Sequence, residues 1–469
     1  MQEQPAATHQ KALAINLDAR RYGTFAEIGA GQEVVRWFFR AGGAAGTIAK
    51  SISAYDMAVS DAIYGRCERY VCRARLESML GYEHELNLQR LKEARGDSTA
   101  FFAFADTVSA RNYKGNNECH GWMGVRFQAH PRDQDSQIIL HVRMLDAENA
   151  LQQEALGIIG VNLLYGAFFS HHEPEKLLES LLDNLTTERI EVDMIEFSGI
   201  EFRQVDNRVM SLKLVQLGLS NAAMFGSDGV VLQPSEVLHK KAILVERGSF
   251  RPPSHVNMDM LRCAREQFLK RPTVDPAGVV ELAEITMRNL MAGGALDYRD
   301  FLARADAVAA LGKTVLISNY FEYYRLAAYL LRYTHDKIGI TMGAASLIDL
   351  FDEKYYAHLE GGILESFGRL FKNELRLYVY PYLDPKSGRL WTVQNLDVPP
   401  ELRKLYGYLV DRGCIEQLEG HRPELLSIFS RDILRKIKDG DPTWEAMVPP
   451  EVTELIKRRG FFGYRKPTV

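Results

Sequence analysis

The spacing of hydrophobic residues changes along the first third of the chain. Between residues 67 and 94 apolar side chains recur every three or four positions, which predicts a long helix that stops at Gly96. From Ser98 the period shortens, and 101–110, 122–128 and 138–145 are predicted to be strands. A helix over 146–168 follows, with Asp146 as its expected N-cap. Residues 1–97 are therefore expected to be mostly helical.

Beyond residue 188 short apolar runs alternate with helical patterns. Strands are predicted at 189–197, 222–226, 241–248, 314–318, 337–341 and 375–381, and helices at 206–219, 258–311, 320–333, 344–353 and 361–372. Such alternation predicts an α/β fold, with a mixed or mostly parallel sheet, flanking helices, and helical N- and C-terminal regions. The expected division is a helical region with a Gly/Ala-rich segment (1–97), an α/β core (98–390) and a helical C-terminal region (391–469).

Composition narrows the class of protein. The 469 residues carry a formal charge of −4 and 46% hydrophobic residues, which is typical of a globular protein and argues against a nucleic-acid or anionic-membrane surface. The N-terminus does not resemble a secretory signal, and the apolar runs are shorter than a bilayer requires, so a cytoplasmic location is expected. The five scattered cysteines predict reduced thiols, and no metal site is predicted.

The segment from Tyr22 to Asp61 contains six glycines, and this predicts close approach of backbones. It includes Lys50-Ser51, but a phosphate loop of the form G-x-x-x-x-G-K-[ST] would need glycine where the chain has Ala44 and Ala49. Two interpretations remain open. One is close packing of helices through small residues, and the other is a ligand-binding loop that uses Lys50.

The hairpin at 122–145 places basic residues on strands whose faces are partly apolar. If Arg126, His141 and Arg143 converge, they would bind a phosphate or carboxylate. The alternative is that each pairs with a nearby acid such as Asp106 or Asp146. His120, just before the hairpin, is a candidate general base, although no complete nucleophile-base motif accompanies it.

Polar residues at the ends of predicted strands form a further candidate site. Ligands of open α/β sheets bind beyond the carboxyl ends of the strands. This rule selects Asp106, Ser198, Glu246, Arg247, Ser318, Asn319, Thr341 and Gly343. Ser318 and Asn319 could cap the next helix or bind an anion together with Arg325. Glu246 and Arg247 could form a structural ion pair or part of a site.

Several segments carry a resemblance to a known family: YGTFAEIGAGQEVVRWFF, ECHGWMGVRF, VDNRVMSLKLVQ, VLISNYFEYYRLAAYL and GGILESFGRLF. Over its whole length the chain resembles bacterial cytosolic proteins of similar size that carry conflicting names, nicotinate-nucleotide adenylyltransferase and TonB-dependent receptor. The second name implies an export signal and many barrel strands, which this sequence does not predict. The first implies two ATP-binding elements, [HT]-x-G-H and I-S-S-T-x-x-R. The chain has no [HT]-x-G-H, and Ile317-Ser318-Asn319 with Arg325 matches the second only loosely.

The sequence therefore predicts a protein that binds a phosphorylated or nucleotide-like anionic metabolite, as a nucleotidyltransferase-like enzyme. The candidate catalytic residues are His120, Asp106 and Glu246, and the candidate ligand-binding residues are Lys50, Arg126, His141, Arg143, Arg247, Ser318, Asn319 and Arg325. The alternative is a non-catalytic scaffold or assembly protein, because small-residue surfaces permit close packing of subunits. In either case a homo-oligomer is expected, and no particular cofactor is predicted.

Overall fold

The computed structural model describes residues 5–465, which divide into two compact units. The first unit ends at Asn221 and the second begins at Ala222. The predicted α/β fold is confirmed, since there are two mixed sheets, one of them mostly parallel, with helices towards both termini. The boundary between the units falls inside the segment 98–390 that was expected to be one core. Within residues 5–465 no helix combines the length and apolarity needed to cross a bilayer.

The first unit is built around a six-stranded sheet. Its strands are β1 (Arg21–Gly29), β2 (Ile48–Ile52), β3 (Ala100–Ser109), β4 (His120–Gln128), β5 (Asp135–Met144) and β6 (Ile190–Gly199). Its helices are α1 (Thr8–Asn16), α2 (Val34–Ala41), α3 (Met57–Tyr64), α4 (Arg73–Arg95), α5 (Asn149–Phe169), α6 (Pro174–Ser180) and α7 (Asn207–Gln216). The strand order is β2-β1-β3-β4-β5-β6, with β2, β1 and β3 parallel and the remaining pairs antiparallel.

The two faces of this sheet bury different residues because side chains alternate along each strand. One face carries Phe102 and Phe127, which pack on Phe168 of α5 with ring centres 5.1 and 6.1 Å away. The other face carries Gly124 and Arg126, which lie under α4. The candidate residues of β4 and β5 point to this second face.

Gly23 confirms the predicted close approach of backbones in the Gly-rich segment, and Gly31 lies against a buried side chain. A Cβ on Gly23 would lie 2.2 Å from the carbonyl oxygen of Phe102 on β3, and a Cβ on Gly31 would lie 1.9 Å from the Asp106 carboxylate. Both distances are far shorter than van der Waals contact. Neither position can therefore accept a side chain without local rearrangement.

The second unit contains an eight-stranded sheet and a two-stranded one. Its strands are β7 (Ala222–Phe225), β8 (Val231–Leu232), β9 (Ala242–Arg247), β10 (Val279–Thr286), β11 (Thr314–Ser318), β12 (Ile338–Gly343), β13 (Arg376–Tyr380), β14 (Tyr382–Leu383), β15 (Leu390–Trp391) and β16 (Ile415–Gln417). Its helices are α8 (Pro234–Leu238), α9 (His255–Phe268), α10 (Met287–Leu290), α11 (Tyr298–Ala309), α12 (Tyr323–Leu330), α13 (Ala344–Leu350), α14 (Gly362–Leu370), α15 (Arg403–Asp411), α16 (Ser430–Asp439) and α17 (Pro450–Arg459).

The large sheet has the order β16-β13-β12-β9-β10-β11-β7-β8. The six strands from β16 to β11 are parallel. Beyond them β7 pairs antiparallel with β11, and β8 pairs antiparallel with β7. The central strands are buried on both faces, as parallel strands covered by helices must be.

Four strands lie where helices were expected. β1 and β2 fall within residues 1–97, β10 falls within 258–311, and β16 falls within 391–469. β1 and β10 lack a clear alternation of polar and apolar residues, and each is an inner strand with parallel neighbours on both sides. A search for a period of two therefore could not identify them.

Candidate functional site

The parallel strands of the second unit reverse their order at β9. From β9 the chain adds β10 and β11 on one side, and then returns to add β12, β13 and β16 on the other. Counted from β9 the order is 3-2-1-4-5-6, the order of doubly wound dinucleotide-binding sheets, in which ligands bind at the reversal point. A cavity of about 360 Å³ lies beyond these strand ends, lined by the segments that follow β9, β10, β11 and β12.

Arg247 closes β9 and forms one wall of the cavity. Its guanidinium makes hydrogen bonds of 2.7 and 2.9 Å to the Glu284 carboxylate, and it donates to the carbonyl oxygens of Tyr320 and Phe321. Ser318 donates to the same carboxylate at 2.5 Å. Burial alone would lower the pKa of Arg247, but Glu284, Tyr323 and Glu322 together raise it. Arg247 therefore ties three strand ends together, and its charge is already balanced.

Arg288 gives the cavity a cation that has no acidic partner among residues 5–465. Its side chain is exposed, and the guanidinium lies 4.2 Å from the centre of the Phe321 ring. Phe321 meets Tyr355 edge to face, with ring centres 4.9 Å apart. The cavity thus has an aromatic surface with a positive charge at its rim. Such a surface can hold a planar base together with a phosphate or carboxylate.

Buried Arg304 fixes the loops that carry these residues. It pairs with Asp300 and donates to the backbone carbonyls of Ser249 and Asn289, both at 3.2 Å. Asn289 also donates to the carbonyl oxygen of Gly248 at 3.3 Å. The loops after β9 and β10 are therefore joined before any ligand arrives, which reduces the entropy lost on binding.

The opposite wall is formed by the start of α12, by α13 and by the segment after α13. It contributes Glu322, Tyr323, Ser346, Asp349, Leu350, Tyr355 and Tyr356. Burial raises the pKa of the Tyr323 hydroxyl, although Arg247, which lies 4.2 Å from the ring, opposes the increase. Asp349 is exposed. This wall therefore offers carboxylate and hydroxyl groups to the polar part of a ligand.

Of the predicted residues described in this unit, Arg247 lines the cavity while Ser318 supports it through Glu284. Asn319 is exposed outside the lining, and Arg325 lies 3.6 Å from the carboxylate of Glu322. The predicted helix start is wrong, since α12 begins at Tyr323 with Glu322 as its N-cap. The three residues before Tyr323 stay outside the helix, where Arg247 binds two of their carbonyl oxygens.

Glu246 is buried outside the main cavity. The side-chain amide of Asn257 donates to it at 2.7 Å. Burial raises the pKa of Glu246 to about 8, although Asn257 and Lys313 oppose the increase. Residues 254–257 read S-H-V-N at the start of α9, with Ser254 as the N-cap. The ATP-binding element [HT]-x-G-H of nicotinate-type adenylyltransferases has three fixed positions, and this segment matches none of them. The side-chain amide of Asn257 is bonded to Glu246.

In the first unit the two arginines of the hairpin are each paired with an acid. Arg126 contacts Asp135, and Arg143 donates to Glu191 at 2.6 Å. In the β4–β5 pairing Arg126 lies opposite Gln137, six positions from Arg143, so their backbones are about 20 Å apart. The two arginines do not share one binding site.

Lys50 and Asp106 each lie next to a glutamate of the first unit. Lys50 forms an ion pair of 2.5 Å with Glu83, which is buried and accepts a hydrogen bond from Tyr64. Asp106 lies directly opposite Glu27 in the β1–β3 pairing. Burial, followed by the charge of Glu27, raises the pKa of Asp106 well above its usual value. Glu27 accepts from the first amides of α2, and burial raises its pKa to about 8.

His120 and His141 are in direct contact. Nδ1 of His120 lies 2.9 Å from Nε2 of His141, whose Nδ1 lies 2.6 Å from Oδ1 of Asp193. The structure thus brings together two of the predicted residues of β4 and β5, along with an aspartate that the sequence did not select. In the described part of the chain no cluster of three or more His, Cys, Asp or Glu side chains is arranged to hold a metal ion.

The sequence prediction missed most of the cavity lining in the second unit. Thr286 ends β10, and Arg288 and Asn289 follow it, but this strand was taken as part of a helical segment. The run VVELAEIT contains four β-branched residues in eight, and this was the available signal for a strand. The aromatic run FEYY at 321–324 was assigned to a helix, although its first residue forms the aromatic surface of the cavity.

No family model and no curated protein matches the chain. Solved structures that resemble part of it include a competence/damage-inducible protein, CihA, from Agrobacterium tumefaciens, with 14% identity over 34% of this chain and 93% of that one and a TM-score of 0.23. A CinA superfamily protein from Enterobacter cloacae has 11% identity over 36% and 95%, with a TM-score of 0.26. A candidate nicotinate-nucleotide adenylyltransferase from Vibrio parahaemolyticus has 13% identity over 48% and 97%, with a TM-score of 0.21. At these values the similarity assigns no activity to the chain.

Proposed function

We propose that the second unit binds a nucleotide-like anionic metabolite in the cavity beyond β9, β10, β11 and β12. The observation that carries the proposal is the cluster of Arg288, Phe321 and Tyr355 at the point where the parallel strands reverse their order. Phe321 offers a flat apolar surface for a base, and Arg288 offers an unpaired guanidinium for an anion. The cavity of about 360 Å³ is within the usual range for small-molecule sites.

The charges around the cavity favour a ligand with few negative charges. Arg247 is neutralised by Glu284, and Asp349 and Glu322 add two carboxylates to the lining. Arg288 is then the cation left to face a ligand among the described lining residues. A single phosphate fits this balance better than a triphosphate, and the carboxylates can accept hydrogen bonds from sugar hydroxyl groups. We therefore expect a nucleoside monophosphate to bind at least as tightly as ATP.

Nucleotidyl transfer is the reaction class to test, but the cavity supports binding more directly than catalysis. Stabilising a transferring phosphoryl group needs several positive charges around it. The side-chain amide of Asn257, in the S-H-V-N segment at the start of α9, is bonded to Glu246 and so is not free to bind a phosphate. Binding is accordingly the function proposed, and any transfer would depend on further cations supplied with the substrate.

Calorimetric titration of AMP, nicotinate mononucleotide and ATP into the full chain tests the proposal. Arg288→Gln should weaken binding of the monophosphates about 10- to 100-fold, because a hydrogen bond to a charged group contributes roughly 1.5–3 kcal/mol. Phe321→Leu should also weaken it, through loss of stacking.

Arg412→Gln is the control, since it removes an exposed arginine of the same unit that lies outside the lining. Its affinity should equal that of the wild type. The proposal fails if none of the three nucleotides binds the wild type, or if Arg412→Gln weakens binding as much as Arg288→Gln does.

A further inference from the structure

A row of hydrogen-bonded side chains crosses three strands of the first unit. It runs from His120 on β4 through His141 on β5 to Asp193 on β6, with contacts of 2.9 and 2.6 Å. The β5–β6 pairing is irregular here, since His141 lies opposite Met194 while Val142 lies opposite Val192. Asp193 is the extra residue of this irregularity, and its carboxylate meets the imidazole. Such bulges often redirect a side chain next to a functional site.

When His141 is neutral, the hydrogen bonds determine which nitrogen of each ring carries the proton. A carboxylate can only accept, so the His141 nitrogen that faces Asp193 carries a proton. The other nitrogen of the neutral His141 ring, Nε2, is then an acceptor. Nδ1 of His120 must therefore donate a hydrogen bond to it. This leaves Nε2 of His120 with a lone pair, and the nitrogen has no hydrogen-bond partner among residues 5–465. In this state the outer end of the hydrogen-bonded row of side chains is a base.

A serine lies beside this base. The β3–β4 register places Ser109 directly opposite His120, and side chains in that relation have Cβ atoms about 4.5–5.5 Å apart. Nδ1 of His120 is already committed to β5, on the other side of β4. The Ser109 oxygen accepts a hydrogen bond from Asn117 at 3.2 Å, and within the described chain its own proton has no acceptor. The described chain has no hydrogen bond between Ser109 and His120, so the hydroxyl has to turn towards the imidazole when a substrate binds.

The charges around His120 keep its ring neutral. Burial, together with His141, Arg143 and Arg69, lowers the pKa of His120 to about 4, although Asp193 opposes the decrease. Arg143 is itself paired with Glu191 and lies 3.5 Å from Glu118. A neutral ring is the form that can accept a proton at pH 7.

We propose that Ser109, His120, His141 and Asp193 form an acyl-transfer site in the first unit, separate from the nucleotide cavity of the second. Ser109 Oγ attacks a carbonyl carbon and forms the O–C bond while its proton moves to Nε2 of His120. The Nδ1 proton of His120 passes to Nε2 of His141, which becomes an imidazolium next to the Asp193 carboxylate. The proton then returns along the same path to the leaving group as its bond to carbon breaks, and water releases the acyl group.

Arg69 indicates the class of substrate. It is exposed, forms no ion pair with a described residue, and is close enough to His120 to lower its pKa. A guanidinium in this position suits an ester or amide that carries a carboxylate or phosphate. His141 and Asp193 act as positioning residues, because they reach the reacting atoms only through His120.

A fluorophosphonate, which reacts with activated serine hydroxyls, tests the site in the full chain, and peptide mass spectrometry locates the label. We expect Ser109 to be labelled, and His120→Gln to slow labelling at least 100-fold. Asp193→Asn should slow labelling at least tenfold and move the inflection of its pH profile to lower pH. The shift follows because the protonated pair of histidines loses its stabilising carboxylate, and a merely structural role would not produce it.

Ser98→Ala removes an exposed serine just before the same strand and should leave labelling unchanged. Circular dichroism of each variant checks that the fold is retained. If Asp193→Asn does not fold, His141→Gln provides a second test of the hydrogen-bonded row. Absence of label on Ser109 in the wild type overturns the proposal. So does a labelling rate that His120→Gln leaves unchanged.

Discussion

Glu246→Gln should make the protein more stable at alkaline pH. Glu246 is 2% exposed, and one of its oxygens accepts a hydrogen bond from Asn257. A glutamine has nearly the same shape and keeps an oxygen that can accept this bond. The substitution therefore removes the ionisable group with little change in packing.

The size of the effect follows from the pKa of Glu246. Burial raises this pKa from 4.5 to about 8, and at roughly 1.4 kcal/mol for each pKa unit this corresponds to about 5 kcal/mol. Between these pH values the folded state holds a proton that the unfolded state has lost. The contribution to stability is therefore fully present below pH 4.5 and is lost as the pH rises through 8.

Urea unfolding of both proteins at pH 5, 7 and 9 measures the effect. The variant should match the wild type within about 1 kcal/mol at pH 5 and exceed it by several kcal/mol at pH 9, as the pKa predicts. Glu419→Gln, at an exposed position in the same unit, is the control and should show a difference that does not depend on pH. An equal difference between Glu246→Gln and the wild type at all three pH values would refute the reasoning.

Three further predictions concern the first unit. Gly31→Ala should lower the free energy of unfolding by roughly 1–3 kcal/mol or more, because its Cβ would meet the Asp106 carboxylate, whereas Gly46→Ala, with open space around it, should change little in a thermal melt. Asp106→Asn should reduce the loss of stability on raising the pH, since burial beside Glu27 raises the pKa of Asp106, and urea unfolding at pH 6 and 9 measures this. The expected homo-oligomer remains a prediction, supported by Phe39, which is 54% exposed beside the exposed glycines of 42–46; sedimentation of a monomer at micromolar concentration would contradict it.

Patterns within one segment predicted several elements of the first unit. The strands β3, β4 and β5 and the long helix α4 lie close to their predicted positions. β1 and β10 were missed because neither shows a clear alternation of polar and apolar residues. Missing β10 also hid Glu284 and three residues of the cavity lining, Thr286, Arg288 and Asn289.

The register between strands explains why the candidate sites themselves could not be predicted. Glu27 and Asp106 are far apart in sequence, yet they lie side by side because β1 and β3 pair in that particular register. A shift of one residue in the β3–β4 pairing would move Ser109 away from His120 and turn its neighbours to the opposite face. Periodicity within a strand shows which residues share a face, but the pairing between strands determines which of those residues meet. Candidate residues could therefore be selected from the sequence, whereas their partners Asp193, Glu284 and Ser109 required the fold.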